Sequence, residues 1–172
     1  MIFRTTLLIL TLACAPLLAA KGKSKTKNGD NHHKDAYTSV TISNCNLQTF
    51  VAGLPQPIYF DEDIVSPFNI THPYQSDNSQ FCVKREGAYL IGWKINLSNP
   101  GVDQVTFALW DMKKDQPIPQ TAITVPVTGL VPVSAQYMIP LETGGVIKLV
   151  AQSQNGNTTM IQPTFFMTRV GH

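Results

Sequence analysis

The densest run of chemistry-bearing side chains in this sequence is Asp61-Glu62-Asp63. Three carboxylates supply the hard oxygens that a calcium ion takes, but a calcium loop spreads its ligands over about a dozen positions. Glycoside hydrolysis instead needs two carboxyls across a cleft, which a local triplet does not supply. The triplet therefore reads as a solvated acidic turn, with Asp61, Glu62 and Asp63 kept as candidate calcium ligands and no resident metal or cofactor expected. The histidines are His32, His33, His72 and His172, and none has a nucleophile or carboxylate at catalytic spacing. No Gly-x-Ser-x-Gly elbow, phosphate loop or His-Glu-x-x-His pair is present. The chain is expected not to be an enzyme; a carbohydrate-active or other enzyme is the third-ranked reading.

Cysteine chemistry depends on where the mature chain begins. Met1-Ile-Phe-Arg4 carries one positive charge, an apolar stretch runs from Leu7 to Leu12, and Ala19-Ala20 precede Lys21. That order of charge, apolar core and small residues is a secretory signal peptide, too short in its apolar run to span a bilayer. Cleavage after Ala20 leaves Cys45 and Cys82, an even pair in an oxidising compartment, and a Cys45–Cys82 disulfide is expected. The loop-entropy model gives such a bond about 4 kcal/mol. Thr11-Leu-Ala-Cys14 also looks like a lipoprotein signal, and a lipid anchor at Cys14 is the second choice. Either route puts the protein outside the cell, secreted or at the surface, with no transmembrane segment.

Residues 21–35 are rich in Lys, Gly and Asn with no apolar residue, so they cannot pack and read as a disordered basic tether. The tether is net +3, and everything from Ala36 onward is net −2. The overall charge of +2 therefore does not belong to the folded part, and the basic cluster that a nucleic-acid footprint needs is missing there. Residues 36–172 form one domain, long enough for a core of its own. Asn69-Ile-Thr71, Asn96-Leu-Ser98 and Asn157-Thr-Thr159 are glycosylation acceptors if the source uses them.

From Ala36 the chain shows no helical periodicity. Short β-rich runs alternate with Gly, Pro, Asn and Asp clusters, the texture of an all-β sandwich. The runs are 38–43, 47–51, 58–60, 69–72, 81–84, 88–97, 105–110, 122–127, 134–139, 146–152 and 163–170, with a turn expected at Ser98-Asn-Pro-Gly101. In the longest run Tyr89, Ile91, Trp93 and Ile95 share one face, and Ala88, Leu90, Gly92 and Lys94 the other. A half-buried antiparallel strand should be polar on its outer face, yet this one is apolar and small there.

Phe81 to Asn96, an apolar strand followed by Gly87-Ala-Tyr89 and a second alternating strand, resembles the jelly-roll domains of the tumour necrosis factor and complement globular-head superfamily. Within that superfamily it looks closest to the C-terminal domain of bacterial collagen-like spore-surface glycoproteins. Ile58-Tyr-Phe60, Gln116-Pro-Ile-Pro-Gln120, Pro140-Leu-Glu-Thr-Gly-Gly-Val-Ile-Lys-Leu149 and the closing run 164–170 follow in the order the resemblance requires. Those relatives carry a collagen stalk where this chain has only the basic tether. The resemblance implies a two-sheet antiparallel jelly roll and a homotrimer, with Ala88, Leu90, Gly92, Phe165 and Met167 as candidate interface residues. It implies a head that binds a protein or glycan through its loops. A coat or matrix component without a specific ligand is the alternative.

Overall fold

A computed structural model describes residues 39–171. The expected signal peptide (residues 1–20) and tether (21–35), Cys14 and His172 lie outside them. Eleven strands follow in chain order: β1 (Ser39–Ser43), β2 (Gln48–Thr49), β3 (Pro55–Pro57), β4 (Glu62–Phe68), β5 (Ile70–Thr71), β6 (Gln80–Val83), β7 (Gly87–Asp111), β8 (Gln116–Pro117), β9 (Ile123–Leu141), β10 (Val146–Ser153) and β11 (Thr159–Gly171). There is no helix among the described residues.

Two strands are far longer than the sequence suggests. The expected turn at 98–101 is a register shift between Asn99 and Val102 inside β7, and the runs 122–127 and 134–139 are both part of β9. Gly101 and Gly129 let these strands bend without breaking their pairing, so each contributes to both sheets. On one side of the bend, β7 pairs with β11 and with residues 129–141 of β9. On the other side it pairs with β10 and with residues 123–128 of β9. The first sheet therefore runs β4-β1-β11-β7-β9, and the second runs β9-β7-β10-β6-β5. Every strand pair is antiparallel, as the sequence predicts.

The core lies between the sheets. Val40 and Ile42 of β1, Tyr89, Ile91, Trp93 and Ile95 of β7, and Phe165 and Met167 of β11 face inward from the first sheet and are buried. Phe81, Phe107, Leu109 and Leu149 meet them from the second. An aromatic stack fixes the two layers at one point: Phe81 lies 4.4 Å from Phe165, and His72 stacks on the other side of Phe81 at 4.5 Å. The His72 ring nitrogens sit 3.2 and 3.0 Å from the carbonyl oxygens of Gln80 and Phe60, so this histidine is part of the packing.

The bend is pinned by a buried carboxylate. Asp103 is fully buried and accepts hydrogen bonds from the hydroxyls of Ser153 and Thr158 and the backbone N–H groups of Asn155 and Gln104. Burial pushes its pKa up, but the four donors outweigh burial and hold the carboxyl below its ordinary range. Asn99 joins the cluster by donating to Thr158 Oγ1 at 2.8 Å. The turn between β10 and β11 is thereby fastened to the point where β7 changes sheets.

Candidate functional site

The outward face of the first sheet is built from register. One row across its five strands reads Phe68, Ser39, Thr168, Leu90, Met138; the next reads Val65, Thr41, Phe166, Gly92, Gln136. Residues directly opposite in an antiparallel ladder share a face, so the side chains of Phe68, Thr168, Leu90, Met138, Val65, Thr41, Phe166 and Gln136 point away from the core. Met138 is 67% exposed, Phe68 50% and Val65 47%, on a face that the sandwich itself does not cover. At its centre the Phe166 ring lies across Gly92, where even one added methyl group would collide with the ring. A further row, Glu62, Ser43, Thr164, Lys94, Ser134, is polar and bounds the apolar area.

This geometry divides the expected interface set between the two faces of the sheet. Ala88, Leu90 and Gly92 face outward as read from the sequence. Phe165 and Met167 do not: they pair with Trp93 and Ile91, take the inward side with them, and are completely buried. Their neighbour Phe166 occupies the outward position. Met138, Val65 and Phe68 were missed. The outward side of β9 was legible from the alternation of Ser134, Gln136 and Met138, but β4, with its acidic start and Pro67, resembles a loop.

The acidic triplet does not converge. Glu62 and Asp63 are consecutive residues of β4, so their side chains leave the strand on opposite sides. Glu62 approaches Ser43 Oγ and Cys45 Sγ, each at 3.5 Å, whereas Asp61 accepts from Asn46 and Asn78 at 3.0 and 2.8 Å. No group of three metal-ligating side chains forms among the described residues.

The expected Cys45–Cys82 disulfide is not formed either. Cys82 lies between the buried Phe81 and Val83 on β6, so alternation turns its thiol out of the second sheet, and burial raises its pKa against the charges of Lys113 and Lys84. Cys45 sits exposed beyond the end of β1, in the first sheet.

No family model and no curated protein matches the chain. Solved structures do. The globular domain of zebrafish complement 1qA protein aligns with a TM-score of 0.53 and 13% identity over 76% of this chain and 94% of that one. Murine APRIL at pH 5.0 aligns with a TM-score of 0.57 and 7% identity, covering 78% of this chain and 99% of its own. The fold is a tumour necrosis factor- and C1q-like jelly roll. At such low identity the likeness carries the fold alone, and the narrower likeness to bacterial collagen-like glycoproteins is not shown. No helix among the described residues is long and apolar enough to cross a membrane.

Proposed function

We propose that this chain is an exported, non-enzymatic head that closes into a homotrimer and binds a protein or glycan partner through its loops. The observation that carries the reading is the apolar outward face of the first sheet. Leu90, Gly92, Phe166 and Met138 lie side by side on β7, β11 and β9, and Phe68 and Val65 lie together on the edge strand β4, an apolar surface that a two-layer sandwich does not cover. Pairing with further copies removes that surface from solvent, and a closed rotation does so without leaving an open, filament-forming end. The threefold operator is what the superfamily resemblance implies. Ala88, Leu90 and Gly92 then sit near the centre of the interface, with Phe166 and Met138 beside them.

Export rests on the N-terminal pattern of charge, apolar core and Ala19-Ala20, and the mature protein begins at Lys21. Chemical cross-linking of the exported protein tests the assembly. A ladder that ends at three supports the head; one that ends at a single chain, or particles that grow into layers under negative-stain microscopy, overturns it in favour of a monomer or a matrix component.

A further inference from the structure

Three separate segments meet in an open cleft of about 570 Å³, within the range of about 300–1,000 Å³ usual for small-molecule sites. The connection after β1 brings Asn44, Asn46 and Leu47, and β2 adds Gln48. The stretch between β3 and β4 brings Tyr59 and Asp61, and the turn before β6 brings Ser76, Asp77 and Asn78. Asparagine amides stitch the segments together: Asn44 donates to the Tyr59 carbonyl, and Asn46 and Asn78 donate to the two oxygens of Asp61.

The walls are rich in acceptors and poor in uncommitted donors. The carboxylate of Asp61 is oriented on both oxygens but keeps lone pairs in reserve. Gln48 donates its Nε2 to the Pro57 carbonyl at 2.8 Å, which fixes the amide, and leaves its buried Oε1 with no hydrogen-bond partner. Neither Lys nor Arg lines the cleft, so anionic ligands meet only Asp61 and Asp77. Asp77 stays ionised: burial works against it, but the Ser79 hydroxyl and N–H, the Gln80 amide and the charge of Lys148 hold its pKa below the ordinary range. Beside these polar groups stand Tyr59, 44% exposed, and Leu47, 68% exposed. Residues Gln75 and Ser76 on the rim both hold positive φ, 51° and 66°, a strained turn of the kind that collects at binding sites.

We infer that this cleft binds a neutral carbohydrate, a pyranose ring laid on Tyr59 with a hydroxyl donating to Asp61. A pyranose has an apolar C–H face and a rim of donors, and it carries no charge for the two carboxylates to repel. The inference rests on the binding-head reading and names the ligand class and place for it.

An array of uncharged hexose and N-acetylhexosamine oligosaccharides, probed with the full exported protein, is the test. Sulfated and sialylated glycans and an Arg/Lys-rich peptide serve as competing arms. Binding to uncharged glycans is expected, falling at least tenfold in Tyr59→Ala and in Asp61→Asn and retained in Tyr59→Phe. Binding only to the charged glycans or the basic peptide, or affinity unchanged in Tyr59→Ala, overturns the inference. A protein that remains trimeric yet binds no uncharged glycan refutes the cleft alone, whereas a monomer that binds none refutes the head reading with it.

Discussion

The two outward faces of this sandwich have been built to different rules. On the second sheet, Gln152, Thr106 and Thr124 form one row and Gln80, Lys148 and Trp110 another, with Pro57, Val150 and Ala108 in the row between them. Thr106 and Thr124 share a hydrogen bond at 2.8 Å, and the Trp110 indole donates to Asp115. That face sets one apolar row, in which Val150 is buried and Pro57 and Ala108 are half-buried, between two polar ones, and so exposes little apolar surface to water. The equivalent rows on the first sheet carry Phe, Leu, Met and Val. Both sheets share β7 and β9, so neither composition nor strand propensity explains the contrast. It teaches that apolar outward residues were placed by side.

The largest effect that would break this contrast comes from charge. Leu90→Glu places a carboxylate in the proposed interface, near its symmetry mates, at a cost of about 4 kcal/mol or more per protomer, and the trimer should fall apart at micromolar concentration. Thr124→Glu on the other sheet loses one Thr–Thr pair, costs under about 1 kcal/mol, and should leave the mass unchanged. Sedimentation of the two variants side by side checks the pair; equal behaviour would erase the distinction between the faces.

Next in size is Asp103, which pins the bend shared by both sheets. Asp103→Ala strands four donors and should lower unfolding stability by about 3 kcal/mol without favouring either face. Its pH behaviour has a definite sign. Because the folded-state pKa is held down, the stabilisation is fully present above the unfolded value of about 3.9 and is lost as pH falls through the lower folded value. Urea titrations below about pH 4 should show a steeper loss of stability in the unmodified protein than in Asp103→Asn.

How much of this was legible in the sequence differs by element. Alternation alone placed Tyr89, Ile91, Trp93 and Ile95 inward and Leu90 and Gly92 outward, because a period of two leaves no other arrangement once one face is buried. The same rule was ambiguous at Phe165-Phe166-Met167, where three large apolar residues are consecutive and only the register with β7 tells which one faces out. Pairing register is a long-range property, and the chain gives no local sign of it. The Ser98–Gly101 segment looked like a turn for a related reason. Asn, Pro and Gly are turn residues, and here they serve a strand that bends while its ladders continue on both sides. In the cleft, Asp61 was singled out for its carboxylate neighbours, but its actual partners are Asn46 and Asn78, distant in sequence and unremarkable in type.

A smaller effect sharpens the contrast at one residue. Gly92→Val should push the Phe166 ring off the sheet and weaken the trimer by about 1–3 kcal/mol, with the buried core unaffected. Dilution-dependent dissociation followed by fluorescence anisotropy would read this, and wild-type affinity would show that Phe166 lies outside the contact.

The central claim is that the apolar face is covered by other copies of the chain. Light scattering of the unmodified exported protein at micromolar concentration measures this most directly. The account predicts three times the mass of one mature chain, falling to a single chain in Leu90→Glu. A single-chain mass for the unmodified protein would contradict it.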